Sequence, residues 1–84
     1  MDNVDYSKLR SLTARKIINA LKRDGFDIEN YSSGAHQQYY NPDGRRVTLT
    51  FHHSSDTFPP KTLKTIIEKQ AKWTLNDLRR LKLI

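Results

Sequence analysis

Apolar positions along this chain change their spacing twice, and each change marks a different kind of element. From Thr13 to Asp24 they fall at Ala14, Ile17, Ile18 and Leu21, the stripe of a helix buried on one side. Thr13 suits the N-cap, because its hydroxyl can accept a backbone N–H of the first turn, and Gly25 can take the positive φ that ends a helix. In FDIENYSS the period shortens to two, with Phe26 and Ile28 alternating against Asp27 and Glu29, which predicts a short half-buried strand. Two further strands follow around Asn41-Pro42-Asp43-Gly44. The return strand, RRVTLTFHH, sends Val47, Leu49 and Phe51 one way and Arg46, Thr48, Thr50 and His52 the other.

Helical spacing then resumes. A second helix is predicted from about Pro60 to Ala71 or Lys72, with Leu63, Ile66, Ile67, Gln70 and Ala71 turned inward. Trp73 and Thr74 break it. Thr74 with Asp77 resembles a capping box, and Trp73 can staple onto Leu78, so a short third helix buries Leu75, Leu78 and Leu81. The fold class is therefore α+β, in the order α-β-β-β-α with a short extra C-terminal helix. An antiparallel three-stranded sheet with helices on one face leaves its other face open to water. The chain reads as a single domain over 1–84, with a core over about 9–72 and the last helix over about 74–83.

The turn chemistry sets a register for the hairpin. Pro42 presets φ for the first central position, Asp43 suits the second, and Gly44 takes the left-handed position of a three-residue loop. Tyr40 then pairs with Arg46, Tyr39 with Val47, Gln37 with Leu49 and Ala35 with Phe51. That puts Tyr39 and Ala35 on the core face, with Gln37 as a polar intruder there. His36, Gln38 and Tyr40 face water opposite Thr50, Thr48 and Arg46. His52 is expected diagonal to His36, about 7–8 Å away between backbones.

Composition narrows the function classes. Eighty-four residues allow one small core, and the absence of cysteine excludes disulfides and thiolate zinc sites. The N-terminus is polar, with no apolar run of signal-peptide or membrane-span length, so a cytoplasmic location is expected. Fifteen Lys and Arg stand against nine Asp and Glu, a formal charge of +6. Such a balance favours a polyanion such as RNA, or an acidic protein partner, and also serves plain solubility. Placement decides among these. The outward face of the first helix carries Arg15, Lys16, Lys22 and Arg23 with Asn19, more cations than a solvated face requires.

The open sheet face therefore combines His36, His52, Tyr40 and Arg46. An unperturbed histidine titrates near pH 6.5 and exchanges protons at neutral pH. RNA brings its own nucleophile, the 2′-OH, so cleavage needs a base, an acid and cations for the phosphate, with no metal or other cofactor. A bland surface histidine is the simpler reading of His36 taken alone. Metal binding is disfavoured: His52 and His53 point to opposite faces, and His36 with His52 has only Asp56 as a third candidate ligand. Neither a carboxylate pair nor a Gly-rich phosphate loop is present, and no base accompanies Ser32 or Ser33.

The order LTARKIINALKRDGF, GAH, YYNPDGRRVTLTFH and PPKTLKTIIEKQ resembles the HicA family of toxin mRNA interferases, the small toxic halves of HicA–HicB modules. The likeness covers Arg15 to about Leu81. It implies a double-stranded-RNA-binding-domain-like fold, metal-independent cleavage of mRNA, and neutralisation by a HicB-like antitoxin. The family's active histidine maps onto His36, and its recurrent histidine at the end of the third strand onto His52, an assisting group. Arg45 and Arg46, with Arg15, Lys16, Lys22 and Arg23, are the expected RNA-backbone contacts, with Tyr40 beside them. Three positions depart from the family pattern: Ala35 replaces a usual serine, Gln37 a frequent histidine, and Lys61 a frequent glycine. The rival reading is a non-catalytic RNA-binding module of the same fold, which would need the cations but not the histidine.

Overall fold

The computed structural model describes residues 4–29 and 35–84. Its elements run α1 (Ala14–Arg23), β1 (Asp27–Ile28), β2 (His36–Tyr40), β3 (Arg46–Thr50), α2 (Pro60–Lys64) and α3 (Leu75–Arg80). The strands form an antiparallel sheet in the order β1-β2-β3. This is the expected α+β architecture. Two features were not legible: a 3₁₀ turn at Tyr6–Leu9, and the continuation of α2 as a π-helical segment over Thr65–Gln70.

Helix α1 starts and stops where its chemistry requires. The Thr13 hydroxyl accepts the Lys16 N–H, and Gly25 takes φ +95° after the last turn. Ala14, Ile17, Ala20 and Leu21 are buried, with Ile18 at the margin. The N–H groups of Ala14 and Arg15 donate to the carbonyls of Asp56 and Ser54, so the loop between β3 and α2 closes the start of α1. At the other end of the molecule the Thr74–Asp77 capping box forms as predicted.

The hairpin register is the predicted one throughout, from Tyr40↔Arg46 to His36↔Thr50. Gly44 sits at φ +101°, and its N–H closes the turn on the Asn41 carbonyl. Tyr39, Val47 and Leu49 are buried against α1 and the second helix, while the alternate residues are exposed. Gln37 is no misfit on that face, because its side-chain oxygen accepts the Tyr39 hydroxyl at 2.7 Å. Gln70 is likewise used: its Oε1 accepts the outward-facing Thr48 N–H at 2.7 Å, so the π-helical segment covers the free edge of β3.

Two strand expectations need correction. Ile28 is 49% exposed rather than half-buried, because β1 is a two-residue edge strand at the margin of the sheet. The rest of FDIENYSS, from Asn30 onward, lies outside the described residues. Strand β3 ends at Thr50 instead of running through His52 and His53. One further ladder bond joins Phe51 N–H to the Ala35 carbonyl, after which both histidine N–H groups turn to Asp56 Oδ2, at 3.0 and 3.1 Å. A side-chain acceptor has captured donors that a longer ladder would have used.

Candidate active site

The open face of the sheet is built by alternation alone. His36, Gln38 and Tyr40 project from β2, and Thr50, Thr48 and Arg46 from β3, directly across the register. His36 and Thr50 are both exposed, and His36 Nδ1 lies 3.0 Å from Thr50 Oγ1. When the threonine oxygen accepts from Nδ1–H, the lone pair of Nε2 is left to take a proton from a ligand on this face. The hydroxyl thus orients the ring. The register placed Thr50 opposite His36, and only the side-chain geometry shows the bond.

At the turn end of the same face, the Arg46 guanidinium carbon lies 5.0 Å from the centroid of the Tyr40 ring. Arg46 also pairs with Glu29 at 2.6 Å, a carboxylate mostly shielded while the arginine is mostly exposed. Sequence reasoning did not foresee Glu29, which the antiparallel partner β1 carries to the margin of the face. A phosphate here would compete with that carboxylate for a cation already stacked on an aromatic ring.

The other expected site residues fall in separate places. His52 lies in the bend after β3, so strand pairing does not carry it to the diagonal position beside His36. The N–H groups of His53 and His52 hold the Asp56 carboxyl below the ordinary carboxylate range. Arg15 joins this loop, donating to Ser54 Oγ at 2.9 Å. Lys16, Lys22 and Arg23 lie on the outward side of α1, across the core from His36, and Arg23 donates to the Leu81 carbonyl at 2.8 Å. Gly34, the first residue of the GAH motif, and the neighbouring Ser32 and Ser33 lie outside the described residues.

Arg45, expected on RNA, is spent inside the protein. Its side chain is 20% exposed and pairs with Asp24 at 3.1 Å and Asp43 at 2.8 Å. It also donates to the Ala71 carbonyl at 2.7 Å and lies 4.9 Å from the Phe26 ring centroid. Pairing with the carboxylates needs no strand periodicity, so the sequence pattern does not separate it from Arg46.

Among the described residues, no three His, Asp or Glu side chains gather to hold a metal ion, and no helix is long and apolar enough to cross a membrane. No curated protein matches the chain. The model of the family described as the HicA toxin of bacterial toxin–antitoxin systems matches residues 14–73, from the first residue of α1 to Trp73. That span holds the whole sheet, both its helices and the His36–Thr50 pair, and on this ground the chain belongs to the HicA toxin family.

Proposed function

We propose that this toxin is a metal-independent endoribonuclease that cleaves mRNA at the open sheet face, with His36 as its general acid/base. The observation that carries the reading is the His36–Thr50 pair, an exposed imidazole held by one ring nitrogen on a face that also offers Arg46. In the reaction the 2′-OH of the substrate attacks the adjacent phosphorus while Nε2 of His36 takes its proton. The 2′-O–P bond forms, the P–O5′ bond breaks, and the leaving 5′-oxygen takes up a proton from the imidazolium or from water. Arg46, over the Tyr40 ring, offsets charge on the phosphate. His52 assists if the loop brings it to the leaving oxygen. A HicB-like antitoxin in the same cytoplasm neutralises the activity.

The test compares wild type with His36→Ala, by induced expression and with purified protein on RNA in the presence of a chelator. His36 is exposed, so the variant should keep its circular dichroism and melting temperature. Growth arrest should disappear and cleavage should fall at least about 100-fold, the usual share of a general acid/base. Undiminished cleavage by the folded variant would remove His36 from the mechanism. RNA binding with no cleavage by either protein would instead support a non-catalytic module, a reading favoured by the absence of His52 from the ladder.

A further inference from the structure

A groove of about 730 Å³ runs along the outward side of α1, between it, the 3₁₀ turn and the C-terminal segment. Lys8, Lys16, Lys22, Arg23 and Lys82 line it, and no carboxylate is among its described lining residues. None of these five cations is in an ion pair among the described residues. Leu12 and Leu83 also line it, and they are buried. Lys8 and Leu83 also line a second pocket of about 380 Å³, together with Val4, Asp5, Leu9, Leu75 and Ile84. The Asp5 carboxylate accepts the N–H and hydroxyl of Ser7, which ties it to the 3₁₀ turn. The two pockets share Lys8 and Leu83, and one is cationic while the other is mainly apolar.

We propose that these two adjoining pockets dock an acidic, amphipathic segment of a partner protein. Carboxylates would lie along the lysines, and apolar side chains would enter the pocket at Leu75 and Ile84. Nucleic acid fits less well. No aromatic ring lines the groove for a base to stack on, and a sugar–phosphate chain has no use for the apolar pocket. The groove also lies across the core from His36, so an RNA held at the catalytic face would have to pass around the molecule to reach it. Backbone geometry adds a second observation. Lys82 takes φ +59° at the end of α3, where the Leu83 N–H returns to the Leu78 carbonyl. Glycine would adopt that conformation at no steric cost. Lys82 lines the groove from that conformation.

Docking at this groove needs no catalysis, so the test uses the 84-residue chain carrying His36→Ala. Phage-displayed random peptides of about a dozen residues are selected on this protein and counter-selected on the same chain carrying Lys16→Glu and Lys22→Glu. Both lysines are exposed, so the reversal should leave the melting temperature unchanged, and the milder pair Lys16→Ala and Lys22→Ala serves if it does not. The expected peptides carry several Asp or Glu beside a cluster of Leu, Ile or Phe. Made synthetically, they should bind at least about tenfold more weakly to the charge-reversed chain and to an Ile84→Asp chain. Their affinity should fall as salt rises. Peptides that bind the two proteins equally, or none enriched, would overturn the proposal. So would a short RNA duplex that loses affinity on charge reversal while the peptides do not, which would give the groove to nucleic acid.

Discussion

A hydroxyl 3.0 Å from one ring nitrogen is a small feature, but it ties the His36 ring to the strand opposite. In the proposed reaction Thr50 is a positioning residue, whose hydroxyl holds the His36 ring by Nδ1. Thr50→Val keeps the size and branching of the side chain and removes only the hydroxyl, so the strand should be undisturbed. Cleavage should fall about tenfold, the equivalent of one hydrogen bond in the transition state. Thr50→Ser should restore most of the rate. A Thr50→Val enzyme with wild-type rate would show that the bond plays no part in turnover. At this scale the sequence was readable where alternation governs: His36, Tyr40 and Arg46 share the open face as the register required. It was not readable where a side chain chooses among partners. Arg45 and Arg46 are adjacent and chemically identical, yet one is shielded among Asp24, Asp43 and Phe26 while the other reaches solvent beside Glu29.

The elements were legible in proportion to how much local chemistry specifies them. The N-cap of α1, the Pro42-Asp43-Gly44 turn and the Thr74–Asp77 box each depend on residues within four positions, and all appear where expected. The 3₁₀ turn at Tyr6–Leu9 and the π-helical segment at Thr65–Gln70 depend on each other and on the sheet. The Tyr6 hydroxyl donates to Glu68, and Gln70 caps the edge of β3, contacts between distant parts of the chain. Burial first, and then the Glu68 carboxylate, push the Tyr6 hydroxyl above its ordinary range, so it stays protonated as a donor. The joint between α1 and the hairpin is another tertiary device. Asn41 is buried: its Nδ2 donates to the Asp24 carbonyl at 2.9 Å, and its Oδ1 accepts the Asp43 N–H at 3.0 Å. Gly25 lies against it, so that a Cβ there would come 3.3 Å from Asn41 Nδ2, whereas a Cβ on Gly44 would meet open space. Both glycines have positive φ, so either alanine costs about 1 kcal/mol in backbone strain. Gly25→Ala should cost more, about 2 kcal/mol, because it also presses on a hydrogen-bonded side chain. Urea denaturation of the two variants compares them directly, and equal losses would mean that Asn41 yields without cost.

At the scale of the whole molecule, one carboxylate gathers segments that are far apart in the chain. Asp24, at the end of α1, has a side chain 8% exposed that accepts Trp73 Nε1–H at 2.8 Å and Arg80 Nη2–H at 2.6 Å, with Arg45 at 3.1 Å. The end of α1, the hairpin turn, the link after the second helix and α3 therefore meet at a single side chain. Burial pushes its carboxyl upward, but the Trp73 and Arg80 hydrogen bonds and the nearby positive charges outweigh that and hold it below the ordinary value. A carboxyl depressed in the folded state contributes stability that is present above its unfolded value, near 3.8, and is lost as pH falls through the folded one. Asp24→Asn keeps the shape while removing the charge, and it leaves Arg45 shielded with less compensation. At neutral pH it should cost about 2 kcal/mol, or a fall of roughly 10 °C in melting temperature for a domain this small. Asp77 is depressed too, by the Thr74 N–H before its other partners, so wild type and variant should both weaken in acid. The gap between them isolates Asp24: it should be full near neutrality and close below about pH 4, as the wild-type carboxyl takes up its proton. Paired thermal melts across that range measure it, and a gap that stayed constant with pH would show that shape, not charge, makes Asp24 the junction.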